Sequence, residues 1–234
     1  MDILYTLKHG DVNEELTYSL RSLCNLPHDK VFFVGGCPSN INKNKIIHIP
    51  VEQKSTKWRN STNNVRLACM DERLSDDFIL MNDDFFILEP IADPVKELNV
   101  SGGTMQSVYD KVYEKYGKEI NWCKGMRETR DLLQKQGIYN PLCYELHIPF
   151  IFNKSKFLAI FDIPGVQDIN VLHKRSLYGN LHLKNTQMAT DVKVRKEQEI
   201  PVGSKFISCS DKGFEVIKPI LEKLFPQKSE YEQE

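Results

Sequence analysis

The sequence lacks most of the features that would settle its class at once. No apolar run in its 234 residues approaches the ~18 that read as a membrane span. Met1-Asp2-Ile3-Leu4-Tyr5 goes straight into a strand-like run. It has no basic region followed by an apolar one, so no signal peptide is expected. Charge of one sign is missing too. Lys and Arg number 31 against 32 Asp and Glu, a formal net charge of −1. That balance excludes a global attraction to nucleic acid or anionic membranes and leaves room only for a local basic patch. The six cysteines, at 24, 37, 69, 123, 143 and 209, form no CxxC pair and no Cys/His cluster with zinc spacing. Reduced thiols and a cytoplasmic protein are the expectation. There is no GxGxxG and no Walker A pattern, and Gly35-Gly36 and Gly102-Gly103 are too short to cradle a phosphate. With no internal repeat and no low-complexity linker, the chain reads as a single domain over 1–234, long enough to bury its own core.

What is present is an alternation of short apolar runs and helical patterns. Residues 2–7, 31–34, 46–51 and 77–81 read as strands. Leu16, Leu20 and Leu23 mark a helix ended by Pro27, and a second helix is expected over 62–74 after a polar loop from Glu52 to Asn60. Strands alternating with helices predict an α/β protein with a mostly parallel central sheet covered on both faces. In such sheets ligands gather at the carboxyl ends of the strands. Lys8 to Asp11, Gly35-Gly36 and Asn82 to Asp84 would all lie on that edge. The second half is less regular. Helices are expected over 104–116, 126–136 and 166–175, a short one from a cap at Asn153 to Phe161, and a terminal one over 213–225. Residues 146–152 and 205–209 read as strands, and the tail from Pro226 as frayed.

The strongest chemical signal is Asn82-Asp83-Asp84, directly after a buried strand. Two adjacent carboxylates repel unless a cation neutralises them. Mg²⁺ or Mn²⁺ held by such a pair takes its remaining ligands from phosphate oxygens. Taken alone the doublet is more often a solvated turn or cap; its placement after a buried strand brings the two readings level. His147 stands in Tyr144-Glu145-Leu146-His147-Ile148-Pro149, and as a strand this segment would put Glu145 on the same face. A carboxylate there orients an imidazole, although a lone histidine near apolar residues is more often a core residue. Arg21 and Arg66 are helix residues, for which surface ion pairing is the default. Arg66 lies in a stretch rich in donors, with Lys57, Arg59, Asn60, Asn63 and Asn64, suited to phosphates and sugar hydroxyls. Trp58 suits either a stacking platform or a core plug.

In order along the chain, Asp2 to Thr6 with Leu20-Arg21-Ser22-Leu23, then Phe78 to Phe86 around Asn82-Asp83-Asp84, then Leu146-His147-Ile148-Pro149-Phe150, and weakly Phe206 to Asp211, resemble the boxes of the Stealth proteins. These are sugar-1-phosphate transferases. More broadly, the chain resembles the nucleotide-sugar transferases with a GT-A-like sheet, whose acidic metal motif ends a central strand. The resemblance implies a nucleotide-sugar-binding half at 1–100 and a smaller, irregular acceptor half at 101–234. It places Asp83 and Asp84 on metal and diphosphate, Arg21 near the phosphates, and His147 toward the acceptor or the scissile bond. One departure matters. The first box of the family has an acidic residue two places after its glycine, where this chain has Val12, with Asp11 one place out of step.

That departure moves the expectation from sugar-1-phosphate transfer to plain glycosyl transfer from a nucleoside-diphosphate sugar, first of all a UDP-sugar. The expected metal is Mn²⁺ or Mg²⁺ on Asp83 and Asp84. The donor contacts are expected from Thr6, Leu7, Lys8, His9, Arg21, Arg59, Asn63, Arg66, Asn82 and Asp83. His147, Glu145 or Asp191 would take the acceptor proton. Polysaccharide, protein, cell-wall polymer and modified DNA all remain open as acceptors. Sugar-1-phosphate transfer releasing UMP, and a non-catalytic nucleotide-sugar binder, are the alternatives.

Overall fold

The computed structural model describes residues 1–195 and 201–233. Eight strands run in chain order: β1 (Asp2–Leu7), β2 (Val31–Gly35), β3 (Ile47–Pro50), β4 (Asp77–Met81), β5 (Phe85–Ile87), β6 (Phe150–Asn153), β7 (Lys193–Val194) and β8 (Phe206–Cys209). Five of them form the central sheet in the order β3-β2-β1-β4-β6. The first four are parallel, and β6 closes the edge antiparallel to β4 with Phe78 opposite Phe152. β5, β8 and β7 form a small second sheet.

The alternation of side chains along each strand sorts the core into two layers. Leu4, Phe32, Val34, Phe78, Leu80 and Phe152 point to one face. That face is covered by α2 (Lys57–Cys69), α5 (Asn121–Lys135), α6 (Lys154–Ala159) and α7 (Lys174–His182). Ile3, Tyr5, Leu7, Phe33, Ile79 and Met81 point to the other, against Leu16 and Leu20 of α1 (Glu14–Ser22) and Leu98 of α3 (Pro94–Leu98). α8 (Asp211–Leu224) seals the small sheet against Tyr18 of α1, and α4 (Met105–Tyr116) lies along α5. The expected α/β architecture, a mostly parallel sheet with helices on both faces, is therefore the one observed. The second half is more regular than expected. It supplies β6 to the central sheet and four helices, α4 through Met105 among them, to the same core as Leu4.

Several expected boundaries shift for identifiable reasons. α2 starts at Lys57, inside the stretch read as a loop, because the Thr56 hydroxyl accepts from the Arg59 amide and caps it. α5 starts at Asn121 rather than 126. The expected helix over 166–175 is a single tight turn at Val166–Asp168, with α7 beginning only at Lys174. The expected strand 146–152 survives only as Phe150–Asn153. Upstream of it the carbonyls of Leu146 and Ile148 are taken by the Arg175 guanidinium, at 2.7 and 2.9 Å, and not by a neighbouring strand.

The tail is not frayed; its residue 234 lies outside the described residues. Tyr231 is buried in the α1 layer and its hydroxyl meets His28 Nε2 at 2.8 Å. Arg21 Nη2 meets Glu232 at 2.7 Å, and its Nη1 donates to the Phe225 carbonyl. The guanidinium expected at the phosphates thus clamps the C-terminal segment instead. Losing a charged hydrogen bond of this kind costs about 1.5–3 kcal/mol. Arg21→Ala should lower the urea midpoint accordingly while leaving nucleotide affinity unchanged. Weakened nucleotide binding at unchanged stability would return Arg21 to the phosphates.

Candidate active site

β1, β2 and β4 are adjacent and parallel, so Leu7, Gly35 and Met81 leave the sheet on one edge. The two glycines after β2 are dictated by crowding there. A Cβ on Gly35, which sits at φ +101°, would lie 2.3 Å from the Leu7 carbonyl oxygen, and one on Gly36 2.2 Å from that of Lys8. The Leu7 carbonyl accepts from the Gly36 amide at 3.0 Å and from Gln53 Nε2 at 2.7 Å. His9 Nε2 donates to the Val51 carbonyl at 3.1 Å. The Thr6–His9 backbone is thereby held from two neighbouring loops. Beside it Asn64 donates to Val34, while its buried Oδ1 has no partner among the described residues. An acceptor left bare in this way is one that a ligand or water can satisfy.

β4 delivers Asn82, Asp83 and Asp84 to the same edge. Asn13 caps α1 through Oδ1, which accepts from the Leu16 amide at 2.9 Å, and its Nδ2 donates to Asp83 at 2.6 Å. Asp84 meets Lys193 Nζ of β7 at 3.0 Å and Ser208 Oγ of β8 at 3.4 Å. Register explains this: Phe85 and Lys193 both pair with Ser208, which brings β7 alongside the carboxylate. Burial, against the Asn13 hydrogen bond and with help from Asp84, pushes the Asp83 carboxyl above its usual range. Glu15, in the first turn of α1, is pushed up to about 7 by burial and by Asp83 and Asp84.

These shifts bear on a metal. Among the described residues no group of three or more His, Cys, Asp or Glu side chains is arranged to hold an ion. Two carboxylates fit an ion of the Mg²⁺ type, which keeps water and takes phosphate oxygens for its other positions. The charge is also right, since burial is the main cause that raises Asp83 and Glu15 and a divalent cation would offset both it and the carboxylate repulsion that adds to it.

A second constellation adjoins the first. Asp191 accepts from His147 Nδ1 at 2.9 and 3.0 Å, from the His147 amide at 2.9 Å and from the Val192 amide at 3.1 Å. Burial pushes the Asp191 carboxyl up, but these contacts with His147 outweigh it and hold the group below its usual range. His147 is therefore oriented by Asp191, 44 residues away, and not by Glu145. Glu145 turns inward to accept from the amide and hydroxyl of Ser176. Burial would raise its carboxyl, yet His173, Arg175 and Lys174 together keep it low. Arg175, buried, holds the carbonyls on either side of His147 and lies 5.2 Å over the Phe85 ring, next to Asp84. Lys193, Ser208, Glu15 and Arg175 were not anticipated from the sequence. The other three expected donor contacts, Arg59, Asn63 and Arg66, come together, but in a cleft beside α2 that shares no residue with Asp83 and Asp84.

No family model and no curated protein matches the sequence. Solved structures match its fold. The galactosyltransferase LgtC, crystallised with donor and acceptor sugar analogues, superposes over 98% of this chain and 96% of its own at 9% identity, with a TM-score of 0.54. An active-site mutant of LgtC gives 0.46 at 10% identity over 83% of this chain and 75% of its own. Mouse xyloside xylosyltransferase 1 gives 0.41 at 12% identity over 99% and 96%. The first of these shows the fold: the sheet is the GT-A-like sheet that glycosyltransferases use. Among the described residues no helix is long and apolar enough to cross a membrane.

The raised carboxyls predict a pH dependence. A carboxyl whose folded pKa lies above its unfolded value stabilises the fold below the unfolded pKa and loses that contribution as pH rises through the folded one. For Glu15 the window runs from about 4.5 to about 7. Metal-free protein should lose melting temperature across that window, and Glu15→Gln should flatten the loss. An unchanged slope in the variant would remove Glu15 from the carboxylate cluster.

Proposed function

We propose that the protein is a divalent-metal-dependent glycosyltransferase that moves a sugar from a nucleoside-diphosphate sugar, first of all a UDP-sugar, to a hydroxyl acceptor. One observation carries the reading. A three-residue stretch serves both halves of the chemistry, since Asp191 holds His147 and, two residues on, Lys193 holds Asp84. In this reading the leaving-group end and the proton-accepting end are tied to one short segment that leads into β7.

In this reading the base and ribose lie along Thr6 to His9, and the diphosphate reaches Asp83 and Asp84. A metal held by those two carboxylates would neutralise the leaving diphosphate. Lys193 pairs with phosphate oxygens when it releases Asp84. The acceptor hydroxyl loses its proton to His147 Nε2, whose Nδ1–H stays on Asp191. As that proton leaves, the acceptor oxygen bonds to the anomeric carbon and the bond from that carbon to the diphosphate oxygen breaks. Asp191 stabilises the imidazolium that results. Arg175 fixes the loop so that the imidazole cannot swing away.

Incubation with candidate UDP-sugars and Mn²⁺ tests the proposal, because water serves as a slow acceptor. UDP should appear as the primary nucleotide product, and Asp84→Asn should slow its release by about 10²–10³-fold with the fold intact. His147→Ala should cut transfer about 10²–10⁴-fold and leave donor binding alone. UMP as the first product would move the reading to sugar-1-phosphate transfer. Binding of UDP-sugar with no turnover at all would leave a non-catalytic binder.

A further inference from the structure

The cleft beside α2 has a chemistry of its own. It encloses about 320 Å³, at the small end of the ~300–1,000 Å³ that binding pockets occupy. It runs between the outer side of α2 and the stretch from Phe161 to Leu172. Arg59 and Arg66, seven residues apart, stand two helical turns apart on one side of α2. Arg59 is braced by Asn170 Oδ1 at 3.2 Å and the Asp168 carbonyl at 3.4 Å, contacts that use Nε and Nη2. The Arg66 guanidinium lies 5.3 Å over the Phe161 ring and has no carboxylate partner among the described residues. Glu52, the one acid in the lining, pairs with Lys54 at 2.7 Å.

We propose that this cleft binds a monosaccharide unit carrying one anionic group, a carboxylate or a phosphate, at a site separate from the strand-end edge. Lys54 already pairs with Glu52, which leaves the two arginines as the net charge of the lining, so the cleft attracts an anion. Two arginine forks, one stacked on an aromatic ring and one tied by an amide, are held ready for two-point contact with a planar or tetrahedral oxyanion. Sugar hydroxyls find Asn63, Thr62 and Gln167 along the wall. An apolar sugar face finds Val166 and Leu172. A bare anion would use only the arginines, whereas a neutral sugar would leave both forks empty.

Titration calorimetry on the full chain at low salt, with glucuronic acid, glucose 6-phosphate, glucose and inorganic phosphate as probes, tests the site. At least one charged sugar should bind saturably, and glucose and phosphate should bind at least about tenfold more weakly. Which charged sugar binds separates a carboxylate from a phosphate ligand. Arg66→Met, which keeps an aliphatic stem against Phe161, and Arg59→Met should each weaken binding about tenfold or more. If a methionine variant melts early, Arg66→Lys keeps the charge, loses the fork and must still bind more weakly. UDP with Mn²⁺ should not displace the sugar. The proposal falls if neither charged sugar saturates, if glucose or phosphate binds as tightly, if both arginine variants bind normally, or if UDP competes. Because the readout is binding, none of these results depends on turnover at the strand edge.

Discussion

Two carboxylates leaving the end of a buried strand must each be satisfied, and the arrangement around Asp83 and Asp84 follows from that requirement. Asp83 is met by Asn13, so the start of α1 is tied to the end of β4. Asp84 is met by Lys193 and Ser208, so the small sheet must fold back over the strand edge. Glu15 is brought in by the same helix that Asn13 caps, and burial together with Asp83 and Asp84 pushes this third carboxyl up to about 7. A site left with excess buried negative charge is poised to gain from any cation that enters.

The second constraint is the orphaned backbone around His147. Leu146 and Ile148 belong to no sheet, and their carbonyls still need donors. Arg175 supplies both, and its own burial is sustained by Glu145 and by the rings of Phe85 and Phe150. The guanidinium thereby joins α7, the His147 loop and the Asp84 turn into one unit. The imidazole depends on that unit for its direction and on Asp191 for its tautomer, which is the division of labour a proton acceptor needs.

Much of the fold was legible in the chain because the parallel strands are continuous apolar runs and α1 carries a clean leucine spacing. The position of Asp83 and Asp84 at a strand end was legible for the same reason, since polarity begins there where a buried strand stops. The rest hides in long-range pairings. Nothing local distinguishes Asp191 as the partner of a histidine 44 residues earlier, or Lys193 as that of Asp84. Glu145 misled because alternation within Tyr144–Phe152 mimics a strand, whereas Pro149 and Arg175 make its first half a loop. Arg21 misled because the clamp that occupies it, Glu232, lies in a tail whose polarity reads as solvent-exposed.

In the proposed reading, nucleotide and divalent cation share the strand edge beside the His147–Asp191 dyad. Whatever factor one ligand imposes on the other's affinity is returned in full, by thermodynamic necessity, and a cation that touches the diphosphate raises that factor above one. Calorimetric titration of UDP with and without saturating Mn²⁺, and of Mn²⁺ with and without saturating UDP, measures that coupling directly. The account predicts mutual enhancement of at least about tenfold, or 1.4 kcal/mol, abolished in Asp83→Asn. UDP that binds with the same affinity whether or not Mn²⁺ is present would contradict it.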